Sequence, residues 1–471
     1  MIRFGFVLGS AALMVTAGLL MALNGCAGKP DTIIPPPPPP PPGAIKHVVV
    51  IFQENRTPDN LFQDPVLISH GADIANSGVN SLGQTIPLSP SNLANNYDPD
   101  HSHKGFNQMC DLNAATGQCK MDGADLIRIY CGTGAPNCPP PNAQFMYVDP
   151  SNVQPYFQLA EQYTFGDRMF QTNQGPSFPA HQFILSGTSA PTATSTLFAA
   201  ENTNGAGCAA PATSLVWLID PAGKESSEIY PCFEHPTLTD LLGAQNISWR
   251  YYVPTPNSIW TAPDAIQHIC QAQTQNGQLA CQGDLWSNVI IPQTQVLTDI
   301  SNNQLAQVSW VIPDGKQSDH PLNTDGTGPS WVASIVNAIG NSPYWADTAI
   351  FITWDDWGGW YDHVPPPQVL VNCAQWGCGY VYGFRVPLIV VSAYAKASYI
   401  SHQRHDFGSI LKFIEEQFGL PSLGYADAYA DDFSDCFNFN QAPLQFQTIP
   451  AALNAEHFLN DHSPPTPPDN D

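Results

Sequence analysis

The stretch Phe351–Val364, FITWDDWGGWYDHV, decides how the rest of this chain is read. An apolar run closes on two adjacent carboxylates, Asp355 and Asp356, followed by Gly358-Gly359 and then by Asp362 and His363. A short apolar run bounded by turn residues is consistent with a buried strand. In α/β proteins ligands bind in the crevice at the carboxyl ends of such strands. Two neighbouring carboxylates at that edge repel each other unless a cation or a strong donor lies between them. One reading makes them a helix cap and a solvated charge. The Gly-Gly turn and the second acid–imidazole pair favour a metal site.

Ile45–Phe52, IKHVVVIF, is a second β-branched run and is predicted as a buried strand of a parallel sheet. It ends in Gln53, Glu54, Asn55 and Arg56. Asn55 or Thr57 could simply cap a following helix. Two acid-terminated strands far apart in sequence instead gather hard oxygen ligands suited to a divalent cation. The third element is Asn173–Ser189, NQGPSFPAHQFILSGTS. Gly175-Pro176 sets a turn, and Pro179 fits the first turn of a helix running through His181–Leu185. Ser177 falls at that helix start, where amide donors and the dipole favour an anion. As a cap it merely begins a helix; as a nucleophile it would be activated by a bound metal. Spacing leaves both readings open.

Taken together, these elements resemble a known family. KHVVVIFQENRTPDNLF, GPSFPAHQFILSGTS, ITWDDWGGWYDHVPPP, and GFRVPLIVVSAYAK with SHQRHDFGSILKFIEEQFGL are similar to successive signature blocks of the bacterial phosphoesterase family. That family includes acid phosphatases and non-haemolytic phospholipases C and belongs to the alkaline phosphatase superfamily. The resemblance runs from Ala44 to Leu420. It implies an α/β three-layer sandwich with a mostly parallel central sheet and long disulfide-bearing loop insertions. It also implies roles: Glu54, Asn55, Ser177, Asp355 and Asp356 at one divalent metal, with Ser177 the nucleophile and Asn55 close to metal or phosphate. The cation's identity is open among calcium, magnesium, manganese and zinc. His320, in SDHPLNTDG, matches a histidine facing the phosphoryl or leaving group. Asp319 stands where some acid phosphatases carry another histidine. His101, in DPDHSHKGF, matches a further phosphate-facing histidine, with His103 as the alternative. The implied substrate is a phosphate ester. Phosphomonoesters are favoured by a serine at 177, phospholipids are the alternative, and a tethered binding protein with a dead site is the non-enzymatic reading.

The first residues bear on location. Arg3 precedes an apolar run, Phe4–Leu23, closed by Leu23-Asn24-Gly25-Cys26. This reads as a signal peptide over residues 1–25. Its end resembles a lipoprotein cleavage motif, with Cys26 lipidated and tethering the chain at a membrane. Asn24 departs from that motif, so an ordinary signal peptide or an uncleaved anchor stays open. Residues 26–43 hold eight consecutive prolines, Pro35–Pro42, a semi-rigid extended spacer. The catalytic domain is expected over 44–450 and a tail over 451–471, with the Pro- and Asp-rich His462–Asp471 disordered. An exported protein, periplasmic or at the cell surface, accords with twelve cysteines, most in close pairs: Cys110/Cys119, Cys131/Cys138, Cys208/Cys232, Cys270/Cys281 and Cys373/Cys378. Cys436 has no obvious partner.

A net charge of −25 argues against a nucleic-acid partner, whose phosphates need a basic surface. Oligomeric state is not legible. Strands are predicted at Val48–Phe52, Trp249–Val253, Val308–Ile312, Ala349–Trp354 and Val386–Val391, and covering helices at Trp331–Ile339 and Ser409–Phe418. Two cysteine-bearing insertions, about 63–147 and 190–236, are expected to shape substrate access.

Overall fold

Eight strands form the central sheet among the residues described by a computed structural model, 43–369 and 375–468. They are β1 (His47–Gln53), β2 (Thr164–Gly166), β3 (Trp249–Tyr252), β4 (Val289–Ile290), β5 (Val308–Val311), β6 (Thr348–Trp354), β7 (Leu388–Ser392) and β8 (Tyr399–Ser401). Their order is β4-β3-β5-β1-β6-β7-β2-β8. All run parallel except β7, which is antiparallel to both β6 and β2. The five predicted strands are present within one or two residues at each end. β2, β4 and β8 were not predicted; at two or three residues they are too short to show a period.

The register explains the site's location. β1 and β6 are adjacent and parallel, with Gln53 opposite Trp354. Continuing one residue sets Glu54 beside Asp355, about one strand spacing (~4.8 Å) apart. The backbone confirms this continuation: Asp355 N donates to Gln53 O at 3.0 Å, and Glu54 N to Ser318 O at 2.7 Å beyond β5. Three neighbouring strands therefore deliver acids and His320 to one edge.

Alternation of side chains builds three layers. On one face Phe351 of β6 packs on Phe413 at 5.1 Å, and Phe52 of β1 packs on Phe407 at 6.0 Å. That face carries α3 (Ser177–Ser186) and α5 (Phe407–Phe418). On the other face Trp354 meets Tyr156 at 5.1 Å, under α2 (Gln154–Gln162) and α4 (Gly328–Gly340). Every residue of β6 is buried, as a parallel strand covered on both faces should be. Asp406 caps α5 in a reciprocal box with Ser409, and Gly419 ends it in the left-handed conformation.

The insertions are tied into the domain. The first carries α1 (His103–Cys110) and short hairpins; the second forms a three-stranded antiparallel sheet of Phe198–Ala199, Val216–Ile219 and Glu225–Ile229. Four expected disulfides are present: Cys110–Cys119, Cys131–Cys138, Cys208–Cys232 and Cys270–Cys281. Cys378 is disulfide-bonded too, while its expected partner Cys373 lies outside the described residues. Cys436 is free and buried.

The C-terminal segment up to residue 468 touches the domain at particular points, although most of 461–468 is exposed. Phe458, on the short helix Ala455–Asn460, buries against Trp331 at 5.3 Å, and Thr466 N donates to Asp314 Oδ2 at 2.8 Å. Its prolines are already restricted, so ordering them costs little backbone entropy. The expected leader, Cys26 and the proline run lie outside the described residues. Among the described residues no helix is long and apolar enough to cross a membrane.

Candidate active site

Glu54, Asn55, Asp355 and Asp356 leave the ends of β1 and β6 fully buried. Asp355 Oδ1 accepts from Asn55 N at 3.0 Å and from Asp356 N at 2.7 Å, which ties the two strand ends together. Asp356 Oδ1 accepts from Gly358 N at 2.7 Å. Gly358 has φ +62°, and a Cβ there would lie 2.2 Å from the Asn55 carbonyl oxygen. Only glycine lets the turn close on the opposite strand end.

Ser177 is the first residue of α3. Its hydroxyl does not cap that helix; it donates to Asp356 Oδ2 at 3.3 Å. The loop before it is fixed by side-chain amides: Gln171 Nε2 donates to the carbonyls of Asn173 and Gly175, and Asn173 Nδ2 to those of Gly175 and Pro176. Gln171 Oε1 in turn accepts from Trp357 N at 3.2 Å, coupling the serine loop to the Asp356 loop.

Sequence reading missed His181. It lies one helical turn after Ser177, with Nε2 at 3.3 Å from Glu54 Oε1 and 3.7 Å from Asp355 Oδ2. The i, i+4 spacing from Ser177 was the available signal, since such pairs share a helix face. Burial pulls its pKa down to about 4, which favours the neutral imidazole that can ligate a metal.

His101 and His320 also converge here, with ring centroids 5.7 Å apart. His101 Nδ1 donates to Pro99 O at 3.0 Å, leaving Nε2 to accept from Asn55 Nδ2 at 2.9 Å. His103 does something else: its Nδ1 donates to Gln174 O at 2.7 Å, bracing the serine loop. Asp319 turns away from the site. Its Oδ2 accepts from Tyr156 and Trp354, and its carbonyl from Arg56, so it is a structural anchor beside His320.

The cluster is starved of positive charge. Burial, then the charges of Asp355 and Asp356, push Glu54 well above the carboxylate range; burial and Asp355 push Asp356 to about 8. Glu54 Oε2, Asp355 Oδ2 and Asn55 Oδ1 are buried without a well-formed hydrogen bond. Oxygens of Glu54 and Asp355 and a nitrogen of His181 lie within 4.8 Å of one another. Buried, unpaired carboxylates of this kind fit a cation.

Asp362 and His363 serve elsewhere. Arg385 Nε and one terminal nitrogen grip Asp362 at 2.8 and 2.9 Å, and that nitrogen also reaches Asp59 at 3.2 Å. His363 bridges Asp59 at 2.7 Å and Asp73 at 2.9 Å. Arg385 supplies the positive charge, so this acid–imidazole pair is an anchor for the loop after β6 and not a metal site. Burial opposes protonation of His363, yet the hydrogen bond and charge of Asp59 push its pKa up to about 9. Its stabilising contribution is therefore complete below its unfolded value near 6.5 and is lost as pH rises through about 9. Arg385→Ala strands two buried carboxylates and is expected to cost about 3–5 kcal/mol in urea unfolding; a change under about 1 kcal/mol would mean that the ion knot is not what holds the loop.

The chain matches the model of the Phosphoesterase family over residues 45–421. It belongs to that family, hydrolases acting on phosphoric ester bonds. Curated relatives include a protein named Phospholipase C A from Mycobacterium tuberculosis, 24% identical over 85% of this chain and 78% of that one. A haemolytic phospholipase C of Pseudomonas aeruginosa is 24% identical over 63% of this chain, and a non-haemolytic phospholipase C of Burkholderia pseudomallei 24% identical over 86%. The match spans only 43% of the Pseudomonas protein and 61% of the Burkholderia one. Among solved structures, an alkaline phosphatase superfamily protein from Vibrio parahaemolyticus aligns over 83% of this chain and 72% of its own, with TM-score 0.34 and 11% identity.

Proposed function

We propose that this chain is an exported, metal-dependent hydrolase of phosphoric monoesters that uses Ser177 as its nucleophile. The observation that carries the reading is the Ser177 hydroxyl, at a helix start, hydrogen-bonded to Asp356 of a buried carboxylate cluster. Glu54, Asp355 and His181 are the residues to hold a divalent cation, with Asn55, Asp356 and Ser177 alongside. When bound, that cation supplies charge neutralisation for phosphoryl oxygens and acidity for the serine hydroxyl.

Ser177 Oγ attacks phosphorus in line with the ester oxygen, forming one P–O bond as the other breaks. Asp356 Oδ2 is placed to take the hydroxyl proton. The α3 terminus directs amide dipoles toward the non-bridging oxygens. Protonated His320 donates to the departing alkoxide, while Asn55 and its partner His101 orient the phosphoryl group. Water then cleaves the phosphoserine, giving net retention at phosphorus. Export is supported by the disulfides of the connecting segments. The tether through a lipidated Cys26 is part of the same proposal and rests on sequence alone.

A phospholipase C reading is favoured by the names of the relatives. Turnover of p-nitrophenyl phosphate beside phosphatidylcholine, each with and without chelator, tests both. Chelator-sensitive hydrolysis of the monoester alone supports the first reading, release of phosphocholine the second, and neither activity overturns both.

His320→Ala should lower kcat by about 10²–10⁴-fold while leaving bound cation unchanged. A variant that loses its cation but keeps phosphate binding would make His320 a ligand instead.

A further inference from the structure

We propose a second metal site, for a borderline-soft divalent cation of the zinc class, formed by His405, Asp435 and Cys436. It lies at the β8 edge of the sheet, three strands from β6 and so roughly 14 Å from the acidic cluster.

The donor spacing is close to that of a tetrahedral site, with the nitrogen–sulfur pair slightly longer. His405 Nε2 is 3.6 Å from Asp435 Oδ1 and 3.8 Å from Cys436 Sγ; Sγ is 3.5 Å from Asp435 Oδ1. Zinc bond lengths and tetrahedral angles require about 3.4–3.6 Å between such donors. Ser401 Oγ, 2.9 Å from His405 Nε2 and hydrogen-bonded to Asp435, joins the two donors, and a bound ion would take over its contact with the imidazole. All four residues are buried.

The outer partners are also in place. His405 Nδ1 donates to Asp431 Oδ1 at 2.5 Å, which fixes the ring and aims Nε2 at the cluster. A carboxylate behind the ligating imidazole is the usual second partner in zinc sites. The Cys436 backbone is held as well: its carbonyl accepts from Lys396 N at 2.9 Å and from Thr164 Oγ1 at 3.2 Å. Sγ is thus preset rather than recruited.

A separate observation points the same way. Every other described cysteine is disulfide-bonded, whereas Cys436 is kept as a thiol with no sulfur partner. Thiolate selects zinc over calcium or magnesium. A guanidinium fills the cluster of Asp59, Asp362 and His363, whereas among the described residues none pairs with Asp435. The bound ion would clamp three pieces together: the end of β8, the residue preceding the α5 cap, and the turn Ser434–Cys436.

The test uses the full chain, stripped with chelator and refilled with cobalt(II) alone. One equivalent per chain should show the near-ultraviolet charge-transfer band of a cobalt–thiolate bond, bleached when zinc(II) displaces it. The acidic cluster contains no sulfur, so cobalt bound there gives no such band, and the result is independent of which substrate the enzyme takes. Cys436→Ala should remove the band, lower zinc content by one equivalent per chain, and keep p-nitrophenyl phosphate turnover. X-ray absorption of the zinc-loaded wild type, which needs no variant to fold, should report a single sulfur ligand. No thiolate band at saturating cobalt, or a zinc shell of nitrogen and oxygen alone, would overturn the site and leave a neutral hydrogen-bonded cluster in its place.

Discussion

Ser177→Ala is expected to lower turnover by on the order of 10⁴-fold or more, with thermal unfolding almost unchanged. The size follows from the two-step route: without the hydroxyl no phosphoserine forms, and water must attack directly in a site arranged for an attached nucleophile. The small structural cost follows from geometry. The hydroxyl makes no cap, and its hydrogen bonds go to Asp356 and Glu54 within the carboxylate cluster. Mass spectrometry of acid-quenched enzyme should find phosphate on Ser177 in wild type and none in the variant. Near-normal turnover by the variant would reduce Ser177 to a bystander at a helix start.

Glu54→Gln should move activity and metal-free stability in opposite directions. In the metal-free protein, burial and the charges of Asp355 and Asp356 raise the Glu54 pKa. A raised carboxyl pKa gives stability that is fully present below the unfolded value and lost as pH rises through the folded one. Metal-free enzyme is therefore expected to be less stable at neutral than at mildly acidic pH. Glutamine removes that liability, so the variant without cation should melt above wild type without cation at pH 7. It also removes a ligating oxygen, so cation affinity should drop more than about 100-fold, beyond what outer partners cost, and hydrolysis with it. Differential scanning fluorimetry with and without added divalent cation separates the two effects. A variant that is both active and stabilised by cation as strongly as wild type would refute Glu54 as a ligand.

Both strand-end pairs, Glu54-Asn55 and Asp355-Asp356, were legible because each closes a long apolar strand, and a long strand announces its own end. β1 and β6, with seven residues each, gave that signal; β2 and β8 could not. Their adjacency was not legible, because register between strands some 300 residues apart is a property of the assembled sheet. His181 shows the complementary limit. It sits in an entirely buried helix, where no amphipathic pattern separates a core imidazole from one facing carboxylates. Asp362 and His363 were seen but read toward the wrong chemistry, since the deciding residue, Arg385, enters from a different segment. Asp319 stands where some acid phosphatases carry a second histidine, and its side chain is committed to Tyr156 and Trp354.

The division of cysteines between sheet and insertions has a practical consequence for making this enzyme. The strand-end carboxylates owe nothing to sulfur, while the four crosslinks complete among the described residues lie in the connections around them, and Cys110 ends the helix that begins two residues after His101. Recombinant chain made in a reducing bacterial cytoplasm should therefore form the sheet and its carboxylate cluster, yet hold His101 and the entrance loops slackly. Such a preparation would pass a circular dichroism check and still give a poor kcat. Periplasmic secretion, or refolding with a glutathione couple, is the route to material whose kinetics mean something.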